Sequence, residues 1–494
     1  MEYLSTRDRT LRRSAAEAIA MGLSRDGGLF TPASFPKFGV LEAEALCGMP
    51  YFRGAAYIMG KFLDDFRPEE LEWFSEEAYG GGRFDTPAVA PMRKVDGKTW
   101  CLELWHGPTS AFKDMALQML PRLLTASLKK TGEKKPACIL VATSGDTGKA
   151  AMEGFADVEQ VKILTFYPEN GVSEIQKLQM VTQEGRNVGV CAVKGNFDDA
   201  QNGVKRIFSD PDIREELAER GYFLSSANSI NWGRILPQIV YYISAYCDLL
   251  NAKAIKLGEA VNFCVPTGNF GNILAAYYAK RMGLPINRLI CASNCNDVLT
   301  DFIRTGVYDR NRPFHTTMSP SMDILVSSNL ERLLFDMSGG KDELVREYMD
   351  QLARTGRYEV TAGMKQRMQE VFWGGFCNEE DTAAAVARMY QNGYLIDPHT
   401  AVAAKVLEDY RRETGDRTVS VFVSTASPYK FCDSVLSAIG ETSAENSVDR
   451  IGQMAEITGV TAPERLAALK SKTPRFSQVT EREKMEDVVL EFLK

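Results

Sequence analysis

The feature that most constrains this chain is a series of short β-branched stretches, each closed by a polar turn and followed by a helix-length segment. ACILVAT (137–143) reads as a buried strand, followed by a Gly-containing turn and a helix from about Lys149. VKILTFYP (161–168) is a second strand, with a helix around Ser173–Glu184. VGVCAVKG (188–195) precedes a helix through Val204 and Phe208, and FLSSAN precedes a long apolar helix, Ile235–Leu250. VNFCVP (261–266) leads into a Gly-rich turn and the helix Ile273–Met282, and RLICASN (288–294) follows. VSVFVST (419–425), with a helix after Pro428, resumes the pattern. Strand, turn and helix repeated in this way predict an α/β protein whose parallel sheet is covered by helices on both faces. Such sheets bind ligands beyond the carboxyl ends of their strands.

The flanks differ in texture. Residues 1–95 carry several aromatics and the punctuation Gly27-Gly28 and Gly80-Gly81-Gly82, and are expected to form a small separate α+β unit. Within 96–494, a largely helical insert is expected near 300–410. Lys and Arg total 58 against 65 Asp and Glu, a net charge of −7 with no long basic run, which argues against nucleic-acid binding. No apolar stretch reaches the roughly 18 residues of a membrane span. The amino end has no signal-peptide core, and Glu2, Asp8 and Glu17 are foreign to a transit peptide, so a cytoplasmic protein is expected. Ten scattered cysteines and three histidines predict free thiols and no metal centre.

Five polar segments carry possible chemistry. In HGPTSAFKDMALQ (106–118), Lys113 stands among small and apolar neighbours. Partial desolvation there lowers an amine's pKa and frees it as nucleophile or base; the alternative is a snorkelling lysine at a helix start. SGDTG (144–148) crowds hydroxyls, a carboxylate and glycines into a strand-to-helix turn, where N–H groups favour an anion. Simple N-capping is the competing reading. PTGNFGN (266–272) spaces Gly268 and Gly271 as Gly-x-x-Gly; it is neither a Walker loop nor a dinucleotide fingerprint, and either cradles one phosphate monoester or makes a tight turn. NSINWGR (228–234) supplies amides, a hydroxyl and Arg234, a donor set for a carboxylate or phosphate unless the arginine pairs with a surface acid. STASPYKF (424–431) places hydroxyls at the end of the last strand, to meet a ring nitrogen or to cap the next helix. Together the five turns offer one candidate amine, a phosphate loop without its own cation, and hydroxyls. A cofactor with one phosphate, an aldehyde and an aromatic nitrogen, pyridoxal phosphate, needs that set.

From about Tyr3 onward the chain resembles the threonine synthase family, pyridoxal-phosphate enzymes of fold type II, with a tryptophan-synthase-β-like fold. SAFKD around Lys113 resembles the family's cofactor-lysine motif; SGDTG, GNFGN, NSIN-x-x-R and TASPYKF resemble its other blocks in order, and GLSRDGGLFTP (22–32) its small N-terminal domain. The resemblance implies that residues 96–494 form a catalytic region of two α/β subdomains. It implies that Lys113 holds the cofactor covalently and acts as base. Gly268, Asn269, Phe270, Gly271 and Asn272 bind the cofactor phosphate, and Thr425 bonds the ring nitrogen. Asp146 stands where relatives often carry Asn facing the ring hydroxyl, and a bare carboxylate there would repel an ionised phenolate. Ser144, Thr147, Asn228, Ser229, Asn231 and Arg234 hold the carboxylate and phosphate of the substrate, with Arg234 expected at the phosphate. The implied reaction converts O-phospho-L-homoserine and water to L-threonine and phosphate. A phospho-lyase giving 2-oxobutanoate, a dehydratase and a non-catalytic homologue are the alternatives. A monomer or homodimer is expected.

Overall fold

The computed structural model describes residues 1–169 and 172–494. Its strands divide between two large sheets and two small ones. The strands of the large sheets, in chain order, are β1 (Met92–Lys94), β2 (Thr99–Glu103), β3 (Ala137–Ala142), β4 (Val161–Pro168), β5 (Val188–Lys194), β6 (Phe223–Ser225), β7 (Val261–Pro266), β8 (Ile286–Ser293), β9 (Phe372–Phe376), β10 (Ser420–Ser424) and β11 (Val479–Glu481). One sheet runs β11-β5-β4-β3-β6 and is parallel throughout. The other runs β9-β8-β7-β10-β2-β1, parallel except for its edge strand β1.

The single sheet that strand reading places under all five turns is therefore two. The SGDTG turn follows β3 in the five-stranded sheet, whereas PTGNFGN and STASPYKF follow β7 and β10 in the six-stranded sheet. The physical reason is that β3, β7 and β10 are buried along their whole length. A strand buried on both faces carries no mark of which sheet it joins, because pairing is set by non-local packing.

Helix starts also lie earlier than apolar periodicity places them. The helix after β3 begins at Asp146, because the hydroxyl of Thr143, one residue before SGDTG, accepts the N–H groups of Gly145 and Gly148. The helix after β7 begins at Gly271, and the long helix spans Trp232–Asn251 with Asn231 as its cap. Strand β9 (FWGGF) escapes the sequence pattern because its glycines dilute the apolar run. A Cβ at Gly374 would meet the backbone of Thr300 at 3.1 Å, so the helix Val298–Thr305 crosses the strand too closely for a side chain.

The amino-terminal unit pairs strands Tyr3–Ser5, Arg12–Arg13 and Phe30–Pro32 in antiparallel fashion. It packs directly on the long helix. Trp232, fully buried, meets the rings of Tyr3 and Phe62 at 5.3 and 5.7 Å, and truncating so placed a side chain costs about 3–5 kcal/mol. Polar contacts also join the unit to the helix Leu330–Met337: Arg7 bonds both oxygens of Glu331, at 2.9 and 2.8 Å, and Arg332, wholly buried, donates to the carbonyls of Phe30 and Ile230 at 2.8 and 2.6 Å. All ten cysteines are free, and among the described residues no helix is long and apolar enough to cross a membrane.

Candidate active site

Lys113 sits in a backbone clamp. Phe112 N–H donates to the carbonyl of Thr425 at 2.8 Å, and Ser427 N–H to the carbonyl of Ser110 at 3.0 Å, so the lysine segment is sewn to the chain leaving β10. Ser110 holds φ of 58°, a left-handed conformation that costs a non-Gly residue of the order of 1–3 kcal/mol. Buried Asp114 fixes the turn by accepting the N–H and hydroxyl of Thr109 at 2.8 and 2.7 Å. Ala111, Met115, Ala116 and Leu117 are buried around the lysine, as their composition suggests. Its Nζ lies 3.5 Å from Ser321 Oγ and 3.7 Å from Asp146 Oδ2. Burial lowers the Lys113 pKa to about 8; Asp146 opposes the shift, while the charges of Lys430 and Arg234 add to it.

Asp146 does not line the cleft. It is buried, with Oδ1 2.6 Å from Nζ of Lys430 and 2.8 Å from Nε2 of Gln176, and Oδ2 3.3 Å from Ser321 Oγ. Burial alone raises its pKa, but Lys430 and Lys113 hold it well below the usual carboxylate range. The repulsion expected of a bare carboxylate is thus answered by Lys430. Sequence reading quotes that lysine within STASPYKF and gives it no role; a carboxylate motif with two lysines among its partner motifs is the signal it offered.

The loop after β7 turns through Phe270, whose φ is 62°, into the N-terminus of the helix Gly271–Met282. Its leading N–H groups face no helical acceptor. The position of a Cβ on Gly268 lies 2.7 Å from the carbonyl oxygen of Ser321, so only glycine fits beneath that strap. Oδ1 of Asn272 accepts from the hydroxyls of both Tyr241 and Tyr242, and its buried Nδ2 has no partner among the described residues. Arg234, also buried, donates from Nη1 to the carbonyl of Ala227, while its Nε has no partner; burial lowers its pKa to about 10. Both residues line the same cleft, and each keeps one buried donor atom without a partner among the described residues.

The cleft lies where the polar turns of the two sheets meet, within an open space of about 1890 Å3 that also runs out along the amino-terminal unit and the helices beside the five-stranded sheet. Lys113, Thr425, the loop 268–272, Ser144, Thr147, Asn228, Ser229 and Arg234 all line it. Asn231 does not. Its amide caps the long helix at Gly233 N–H (2.9 Å) and donates to the carbonyl of Ile19 (3.0 Å), so its polar atoms are committed to the fold. Because Thr143 performs the capping, the hydroxyls of Ser144 and Thr147 are left on the cleft wall. Sequence reading also missed Ser321 and His399. Ser321 N–H donates to Nε2 of His399 at 3.1 Å, and His399 Nδ1 pairs with Asp397, the N-cap of the helix Pro398–Thr414. An acceptor Nε2 places the ring proton on Nδ1.

Comparison with known proteins adds to this geometry. Residues 2–79 match the family model "Threonine synthase N terminus", 83–363 "Pyridoxal-phosphate dependent enzyme", and 400–489 "Threonine synthase, C-terminal". Threonine synthase of Pseudomonas aeruginosa is 41% identical over 450 residues, covering 90% of this chain and 92% of that one. The chain belongs to the threonine synthase family. A crystal structure of pyridoxal-phosphate-bound threonine synthase from Brucella melitensis is similar over the full length of both chains, with 37% identity and a TM-score of 0.87. Threonine synthase-like 1 of Macaca fascicularis is 44% identical over 439 residues; the match takes in 86% of this chain but 58% of that protein. Fold type II, two α/β sheets with a small N-terminal unit, is the architecture of the family.

Proposed function

We propose that the protein is a pyridoxal-phosphate-dependent carbon–oxygen lyase that converts O-phospho-L-homoserine and water to L-threonine and phosphate. One observation carries the reading: a buried amine, its pKa lowered to about 8, lines a cleft together with the helix N-terminal loop at Gly271, Asn272 and Arg234. The residues fit the cofactor. The helix N-terminus at Gly271, its loop N–H groups and Asn272 Nδ2 suit a phosphate monoester, Lys113 suits an aldehyde, and the hydroxyl of Thr425 suits a ring nitrogen that stays unprotonated. When bound, pyridoxal phosphate supplies an electron sink for the charge left by loss of a carbon-bound proton.

The chain's own residues do the rest. Lys113 Nζ, neutral for a large fraction of the time near its pKa, takes the substrate's Cα proton and carries later proton transfers at the neighbouring carbons. Arg234 holds the substrate phosphate, so the leaving group departs with its charge already paired. Ser144, Thr147, Asn228 and Ser229 orient the carboxylate. The strap over Lys113, held by His399 and touching the phosphate loop at Gly268, limits water around the amine.

A second reading, release of 2-oxobutanoate from the same substrate, is kept because threonine synthase-like 1 stands at 44% identity, level with the bacterial threonine synthase at 41%. Incubation with O-phosphohomoserine, with threonine, 2-oxobutanoate and phosphate all measured, separates the two. Threonine in step with phosphate supports the first reading, and 2-oxobutanoate in step with phosphate replaces it with the second. Lys113→Ala should abolish either product and the borohydride-stable label on the chain, while leaving measurable cofactor affinity through the loop. We also read the protein as cytoplasmic, a monomer or homodimer, and divided at about residue 95 into an N-terminal unit and a catalytic region; the net charge of −7 supports the absence of nucleic acid.

A further inference from the structure

The ion pair between Lys430 and Asp146 crosses from one sheet to the other directly behind the cleft. Lys430 enters with the chain that leaves β10, and Asp146 with the helix that follows β3. Their charged atoms are 2.6 Å apart; Lys430 is fully buried and also donates to the carbonyl of Thr109 at 3.1 Å. Lys430 lies outside the cleft wall, so it has no access to a ligand. Asp146 nevertheless reaches the cleft amine through its second oxygen, Oδ2, at 3.7 Å from Lys113 Nζ.

One carboxylate is thus shared by two ammonium-bearing side chains, and geometry ranks them: the inner lysine is close enough for a tight pair and the outer one is not. We propose that Lys430 is a positioning residue that engages Asp146 so that Lys113 Nζ is left as a free amine in the cleft. The proposal rests on the reading of Lys113 as the cofactor lysine and extends it to a residue that touches neither cofactor nor substrate. Without Lys430 the carboxylate would swing its full charge to Lys113 and hold it as an ammonium, unable to attack a carbonyl carbon or take a proton. The other charged and titratable groups around Lys113 are few: Asp114 on its own segment, Arg234 from the long helix, Asp323 on the strap, and His399 behind Ser321.

The test reads the Lys113 amine itself. The full-length protein, stripped of cofactor, is labelled competitively with acetic anhydride across about pH 6–11, and the Lys113 peptide is followed by mass spectrometry. Lys430→Met should move the labelling midpoint upward by about 1–3 pH units, and Lys430→Arg should keep it near the parent's. The double variant Lys430→Met/Asp146→Asn should bring it back to the parent's value or below, since the carboxylate that holds the ammonium is gone as well, and it guards against misfolding of the single variant around a lone buried carboxylate. An unchanged midpoint in folded Lys430→Met, or a midpoint in the double variant well above the parent's, overturns the proposal. If Lys113 is not the cofactor lysine, the midpoints still move as stated but borohydride labels another residue, so the two failures are distinct.

Discussion

The hydroxyl of Tyr242 donates to Oδ1 of Asn272 across 2.6 Å, and this bond decides which end of the amide is left over. A second hydroxyl, from Tyr241, occupies the same oxygen. Both tyrosines are buried on the long helix, so the amide is locked with its nitrogen as the unused atom. The amide nitrogen therefore lies buried and unpaired at the entrance of a helix whose first residues line the cleft, an end that favours an anion over a cation.

Asn272→Asp keeps the shape and the two tyrosine bonds but exchanges that donor for charged oxygen. Affinity for pyridoxal phosphate should fall by roughly 2–4 kcal/mol, about 30- to 1000-fold, by equilibrium dialysis. Unchanged affinity would place the phosphate elsewhere.

Arg234 carries a charge in the interior with one carbonyl as its hydrogen-bond acceptor. Arg234→Met should leave the thermal midpoint no lower than the parent's, because a buried charge with so little compensation is replaced by an apolar chain of similar length. Its kcat/KM for O-phosphohomoserine should nonetheless fall by about 2–5 kcal/mol, with cofactor absorbance intact. If kcat/KM and inhibition by inorganic phosphate match the parent's, the arginine serves the fold alone.

His106 gives a pH signature away from the cleft. Burial lowers its pKa, but Asp85 on Nδ1 at 2.5 Å and Glu103 on Nε2 at 2.8 Å outweigh burial and raise it from 6.5 to about 9. A raised folded-state pKa stabilises the protein fully below about pH 6.5, and the contribution is lost as pH rises through about 9. The unfolding free energy of the parent, from denaturant titration, should exceed that of His106→Gln by at most about 3 kcal/mol at pH 6, with the gap closing by about pH 9.5. A gap that does not change with pH would mean that the imidazole is not the titrating group.

Much of this site is legible in the order of residues. β4 and β7 coincide with the apolar runs VKILTFYP and VNFCVP, because a strand buried on both faces is a block of apolar residues and its ends are sharp. The turns that line the cleft are legible too, since glycines and hydroxyls cluster where strand gives way to helix. What is not legible is pairing across distance. Nothing local to Lys430 says that its partner is Asp146, nor to His399 that it supports Ser321, because each contact is made only when two sheets have met. Asn231 misleads for a related reason. An asparagine before a helix serves equally as a cap or as a ligand donor, and here the carbonyl of Ile19, in the amino-terminal unit, takes up its amide.

Arg332 gives the amino-terminal strands a standing that a separable module would lack. Among the described residues no acid forms an ion pair with its guanidinium; it is held by carbonyl dipoles, one of them on Phe30 and another on Ile230, beside Ser229 at the cleft. Take the Phe30 strand away and the Nε of a buried positive charge loses its acceptor beside the cleft wall, leaving Ile230, Ser229 and Asn329 to hold the rest of the group. The first thirty or so residues are thus masonry of the cleft: Arg7, Arg13, Glu17, Ser24 and Gly27 stand in its wall, and a shortened chain would forfeit that wall together with one anchor of Arg332.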